Sequence, residues 1–153
     1  MKGIRVYADT SVFGGVHDAE FDTASQTFFD QVKTGRFSLV ISAVVQDEME
    51  NAPENVRTFF DEMLKFTEIT DVSEGAIELQ EAYLQTNIVS PKYADDTLHV
   101  ALATVSGCAL IVSWNFKHIV HFEKIRCFNS INLAEGYKFI EIFSPREVIH
   151  YEG

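Results

Sequence analysis

Short apolar runs alternate along the chain with longer segments whose apolar residues recur at helical spacing, which predicts repeated strand–helix units. Ile4 to Ala8 reads as a first strand. Thr23 to Lys33 reads as a helix with Phe28, Phe29 and Val32 along one side, ended by Thr34-Gly35. Phe37 to Ser42 gives a second strand and Val44 to Glu50 a short helix. Another helix follows Pro53, where Val56, Phe59, Phe60, Met63 and Leu64 recur at helical spacing. Thr67 to Ile69 is a weak third strand. Ile77, Leu79, Tyr83 and Leu84 suggest a helix through Gln85, although Ser73 opens no capping box, since Ala76 stands where Glu or Gln would close it. Ser90-Pro91 starts the next helix, because Ser can cap and Pro loses no hydrogen bond at the first helical position. That helix ends near Ser106-Gly107. Its Leu98, Ala101, Leu102 and Val105 share one face, which puts Asp96 and His99 on a different side. Ala109 to Val112 and Phe139 to Phe143 supply the fourth and fifth strands.

Successive βα units imply a parallel sheet with helices over both faces, because right-handed crossovers lay each helix on the sheet. The expected architecture is a three-layer α/β/α fold around a central parallel sheet of about five strands. In such sheets the polar site lies at the carboxyl ends of the strands. That rule selects Asp9 after the first strand and Ser113-Trp114-Asn115 after the fourth.

At 153 residues the chain fits one domain spanning 1–153. Its 46% apolar and 23% charged content is that of a globular protein, and 13 Phe predict an aromatic-rich core. No twenty-residue apolar stretch or signal-peptide h-region occurs, so a cytoplasmic protein with no membrane association is expected. Cys108 and Cys127 form no CxxC or zinc-like array and read as buried apolar thiols. Twelve basic against 23 acidic residues give a net charge of -11, which counts against an architectural DNA-binding role. A nuclease stays open, because metal ions can neutralise an acidic centre. Neither GxGxxG nor GxxxxGK[ST] occurs, and a haloacid-dehalogenase phosphotransferase would need an acid where Ser11 stands.

Singly, the polar candidates have ordinary explanations. Asp9-Thr10-Ser11 suits a turn or cap, and Gln46-Asp47-Glu48-Met49-Glu50 suits a solvated acidic helix face. Asp95-Asp96 complements a helix amino terminus, and Asn115 suits a turn. Jointly, four segments resemble the PIN-domain family in the right order. They are Val6-Tyr7-Ala8-Asp9-Thr10-Ser11-Val12-Phe13, Ser42-Ala43-Val44-Val45-Gln46-Asp47-Glu48-Met49, Ala94-Asp95-Asp96-Thr97-Leu98-His99-Val100-Ala101-Leu102-Ala103 and Val112-Ser113-Trp114-Asn115-Phe116-Lys117-His118.

The resemblance implies an acidic pocket of Asp9, Glu48 and Asp96, with Asn115 at a position where many family members carry Asp. Asp96 is chosen over Asp95 because it stands three residues before His99, and Glu48 over Glu50 because Met49 fills the apolar position that follows the family's acid. Thr10 or Ser11 would orient Asp9, and Lys117 and His118 are candidates for phosphate contact. His118 and His121 lack a third metal ligand. Clustered carboxylates raise one another's pKa unless a cation holds them ionised, and Mg²⁺ or Mn²⁺ suits a pocket of few oxygen ligands. The implied activity is metal-dependent phosphodiester hydrolysis of single-stranded RNA. Analogy with the toxin half of VapBC pairs adds an antitoxin partner and a homodimer, with the Phe-rich Val56 to Leu64 region a candidate contact. The competing reading is a catalytically weak PIN fold acting as a binding or assembly module, to which Asn115 and the acidic charge both point.

Overall fold

The computed structural model describes residues 3–151. In chain order the elements are β1 (Ile4–Ala8), α1 (Thr10–Gly15), α2 (Asp22–Lys33), β2 (Phe37–Ser42), α3 (Ala43–Met49), α4 (Glu54–Met63), β3 (Thr67–Thr70), α5 (Glu74–Leu84), α6 (Ala94–Val105), β4 (Leu110–Val112), α7 (Phe122–Ala134), β5 (Glu141–Phe143) and α8 (Pro145–Val148). The strands form one sheet in the order β3-β2-β1-β4-β5. Every pairing is parallel, with Val6 opposite Leu39, Tyr7 opposite Ile111, Ile41 opposite Ile69 and Ile111 opposite Ile142. The architecture is thus the expected three-layer α/β/α fold.

The middle strands are apolar runs because helices cover both of their faces. Helices α1, α2, α4 and α8 pack with one another, and α5, α6 and α7 form a second group. Aromatic residues fill the first group's interior: Phe13 meets Phe29 at 4.9 Å and Phe60 at 5.0 Å, and Phe28 meets Phe37 at 5.2 Å. Phe59 lies edge-on to Phe29 at 4.9 Å. The aromatic side chains of the Val56 to Leu64 region therefore turn inward.

Several expectations change. α1 begins directly after Asp9 and was not anticipated, nor were α7 and α8. The helix opened by Ser90-Pro91 divides into a 3-10 turn, Pro91–Tyr93, and α6, and the Ser90 side chain makes no capping bond. Ser73 caps α5 by itself, accepting from the Ala76 N–H at 3.2 Å. β5 is shorter than the run Phe139 to Phe143, with Phe139 left exposed. Cys108 is buried as expected, whereas Cys127 is only partly so. Lys117 and His118 lie in a turn, Lys117 exposed and His118 buried.

α6 departs furthest from the expected two-sided helix, since every residue from Thr97 to Thr104 is buried. His99 therefore faces protein and not solvent. α2 and α6 end alike, on Gly35 and Gly107 at φ +91° and +75°. After each, the glycine N–H and the next residue's N–H fold back onto the helix's last carbonyls, a stop that needs the left-handed backbone. Among the described residues no helix is long and apolar enough to cross a membrane.

Candidate functional site

The chain winds outward through β1, β2 and β3 in one direction and through β4 and β5 in the other. The reversal falls between β1 and β4, where an open parallel sheet leaves a crevice beyond its carboxyl ends. Asp9 leaves β1 at that point and Ser113 leaves β4 beside it. Asp9 is almost sealed from solvent. Ser11 Oγ donates to its Oδ1 at 2.6 Å and Ser113 Oγ to its Oδ2 at 2.7 Å. Each serine in turn accepts a backbone N–H, Ser11 from Trp114 at 2.8 Å and Ser113 from Asn115 at 2.9 Å. The loop after β4 is thereby tied to the carboxylate it faces. Burial pushes the Asp9 pKa up, and the positive charge of His99 and the two serine hydroxyls offset this only in part.

Glu48 projects from α3. Its Oε1 accepts from Thr10 Oγ1 at 2.8 Å and meets His99 Nε2 at 2.7 Å. His99 Nδ1 lies 2.7 Å from the Tyr7 hydroxyl, which is also 2.7 Å from Ser42 Oγ. A chain of polar contacts thus runs through the core from β2 and β1 through α6 to α3. Burial works against a charge on His99, but the bond to Glu48 and the charges of Asp9, Glu48 and Asp96 outweigh it and raise its pKa. Burial likewise opposes the Glu48 charge, and the hydrogen bonds from His99 and Thr10 with the His99 charge outweigh it, so its pKa falls. Burial pushes the Tyr7 phenol up as well.

Asp96, in the first turn of α6, meets the third part of the site. Its Oδ2 lies 2.7 Å from His118 Nδ1. Asn115 Oδ1 accepts the His118 N–H at 2.9 Å, and the Asn115 carbonyl accepts from Ile119 and Val120. Asn115 thus closes the turn that seats His118 against Asp96. His118 is buried, with its ring 4.1 Å from that of Tyr93, whereas Lys117 is exposed with its Nζ 5.4 Å from the Tyr93 centroid.

Of the sequence-selected groups, Glu48 and Asp96 make side-chain bonds within the site. Glu50 and Asp95 are exposed and, unlike Glu48 and Asp96, form no ion pair among the described residues. Thr10 bonds to Glu48 and Ser11 to Asp9, so the two hydroxyls serve different acids. Sequence reading gave no role to Tyr7, Ser42 or Ser113, and used His99 only to fix Asp96. Tyr7 and Ser42 lie in apolar strand runs and read as core, whereas Ser113, on the carboxyl side of β4, was picked out with Asp9 by the placement rule, without a role. Among the described residues no three His, Cys, Asp or Glu side chains close into a metal cage.

No protein-family model matches the chain, and no curated protein matches it. Among solved structures, the crystal structure of VapBC2 from Rickettsia felis bound to a DNA fragment from their promoter contains a chain of similar fold. The likeness has a TM-score of 0.60 at 15% sequence identity and covers 91% of this chain and 98% of that one. At that identity what the two share is the arrangement of the backbone, and the chain has a PIN-like α/β/α fold.

Proposed function

We propose that the chain is a Mg²⁺- or Mn²⁺-dependent phosphodiesterase, an endoribonuclease acting on single-stranded RNA. The observation that carries this reading is the placement of three acids at the sheet's switch point: Asp9 at the exit of β1, Asp96 in the first turn of α6 against His118, and Glu48 on α3 against the ring of His99. Their charges all act on that ring. The donor set suits a hydrated divalent ion. Glu48 Oε2 and Asp96 Oδ1 have no hydrogen-bond partner among the described residues, and Asp9 is held in place by two serines. Mg²⁺ is commonly held by one or two carboxylates and keeps its own waters, so a closed protein cage is not required. Asp9, Glu48 and Asp96 are the proposed ligands, with Asn115 beside them. A bound cation would offset phosphate charge and acidify a water. The chain's own residues fix the acids: Ser11 and Ser113 hold Asp9, Thr10 and His99 hold Glu48, and His118 holds Asp96.

The fold likeness to a VapBC2 chain supports placing this protein as the toxin of a toxin–antitoxin pair, with a protein inhibitor as partner. We extend the proposal to a cytoplasmic homodimer. Its contact surface lies outside the inward-facing aromatic side chains of α4, and light scattering at micromolar concentration tests it. A second reading, a binding module with weak or no catalysis, is favoured by one observation. The Asn115 amide oxygen is already used by the His118 N–H and brings no negative charge.

Purified protein incubated with single-stranded RNA, with and without Mn²⁺, separates the two. Metal-dependent cleavage that Asp9→Asn lowers by more than about a hundredfold supports the enzyme, since losing a group that only supports a metal ligand costs about ten- to a hundredfold. Equal background in all samples leaves the binding module.

A further inference from the structure

The turn that closes the site carries groups that its hydrogen bonds do not explain. Phe116 is 47% exposed although Trp114 and Asn115, the two residues before it, are tied down. Its ring lies edge-on to Trp114 at 6.1 Å, and Trp114 is stacked on Phe21 at 4.1 Å and 20°. Trp114 is itself fixed by its Nε1–H to Ser25 Oγ at 2.8 Å. An exposed aromatic face thus stands on a rigid base. One residue further on, Lys117 Nζ lies 5.4 Å from the Tyr93 centroid, and Lys92 Nζ lies 5.0 Å from the same centroid. Neither lysine has an acidic partner among the described residues. In a chain of 12 basic and 23 acidic residues, two ammonium groups on one ring with no ion-pair partner among the described residues concentrate positive charge beside the acids that open α6. That ring packs on His118, which holds Asp96.

We propose that Phe116 with Lys92, Tyr93 and Lys117 forms a subsite for single-stranded nucleic acid, in which Phe116 stacks a base and the two lysines hold a phosphate. The proposal deepens the phosphodiesterase reading and rests on it for its substrate class. An acidic pocket repels the polyanion it must receive, and a cationic pair at its margin supplies the attraction. Stacking on an aromatic face accepts any base, so the subsite selects strandedness and not sequence. In a duplex the base faces are already stacked on one another and are unavailable to Phe116.

The test measures binding without cleavage. Anisotropy of a fluorescein-labelled single-stranded RNA is followed in EDTA at low salt, with the same sequence as a duplex for comparison. Emission of Trp114, the single Trp, reads occupancy beside Phe116. The single strand is expected to bind more tightly than the duplex and to alter Trp114 emission. Phe116→Ala should weaken it by about tenfold, and Phe116→Tyr should retain it. Replacing Lys92 and Lys117 together by Gln should reduce the slope of log affinity against log salt by about 1.4. Equal affinities for Phe116→Ala and Phe116→Tyr, an unchanged salt slope, or no binding by wild type would each overturn the proposal. So would a Phe116→Ala defect confined to capture of a protein partner. Wild type that binds as described yet cleaves nothing with Mn²⁺ leaves the subsite standing and removes the nuclease. Cleavage with RNA binding unaltered in the variants does the reverse.

Discussion

Replacing His99 with Ala removes the group that Tyr7 and Glu48 both meet and leaves a buried phenol and a carboxylate without it. A loss of about 2–3 kcal/mol is expected in urea unfolding, below the figure for a fully sealed ion pair because Glu48 is about a third exposed. The pH dependence has a defined sign. The raised His99 pKa gives stability that is complete below its unfolded value, about 6.5, and is lost as pH rises through the folded one. The lowered Glu48 pKa gives stability present above about 4.3 and lost as pH falls through its folded value. Asp9, raised by burial, opposes folding increasingly as pH climbs above about 3.9. Wild type should therefore lose stability as pH rises above about 6.5, and His99→Gln should flatten that loss; parallel slopes in urea titrations would show that His99 stays neutral. Asn115→Ala should cost about 1 kcal/mol by freeing the His118 N–H, while Asn115→Asp keeps the acceptor. If Asn115 also faces a cation, calorimetry with Mn²⁺ will find tighter binding for Asn115→Asp than for wild type, and equal affinity for both would confine it to the turn. Asp9 was legible because its place at a strand exit marks it, whereas Glu48 and Asp96 were picked out by the resemblance. Among the groups that orient these acids Ser11 was named from the sequence, but Tyr7, Ser42 and His99 were not given such a role, because they sit in segments whose neighbours are all core.

α7 shows why some elements escaped sequence reading. Its buried face contains Phe128 but also Asn129 and Asn132, so the apolar periodicity of Ile125, Phe128 and Ile131 is diluted by buried amides. Asn129 instead serves a partner's backbone: its Nδ2 donates to the Ile140 carbonyl at 2.9 Å and its Oδ1 accepts the Ile140 N–H at 2.7 Å. Asn132 meets the Tyr83 hydroxyl. Asn129→Ala should destabilise by about 2–3 kcal/mol, since two buried backbone groups lose their partners at once, and thermal and urea unfolding will register it. α8 was legible in principle, through Ser144-Pro145-Arg146-Glu147, where Glu147 Oε1 accepts the Ser144 N–H at 2.9 Å. The strands and the longer amphipathic helices were read correctly because their pattern and their burial coincide. α1 packs tightly on α2: a Cβ on Gly15 would come within 2.5 Å of Ser25 Oγ and 2.7 Å of Trp114 Nε1. Gly15→Ala is expected to cost about 1–3 kcal/mol through overpacking. Ser25→Ala in the same chain should recover part of that loss, and strictly additive effects would count against the clash.

Across the whole molecule the charge of -11 favours expansion through self-repulsion. Sodium chloride should therefore raise the melting temperature by screening, and millimolar Mn²⁺ should raise it beyond the same ionic strength of sodium if the acids hold the ion. The two thiols report on global opening. Burial pushes the Cys108 thiol up to about 11, while Cys127 is partly accessible. A disulfide reagent should label one thiol promptly in the native state and the second only at the rate of unfolding; simultaneous labelling would mean that β4 frays. The order of the strands adds a consequence for synthesis in the cell. β1 lies between β2 and β4, and Tyr7 pairs with Ile111 across 104 positions of chain. At ordinary elongation rates that interval is about 5–20 s, during which β1 has a neighbour on one edge only. Ser113 and His118 follow β4 in the chain, so a translation product that stops short of β4 carries the acids without the serine that holds Asp9 and the turn that seats His118 against Asp96. An incomplete copy thus has its acids but cannot assemble the site around them.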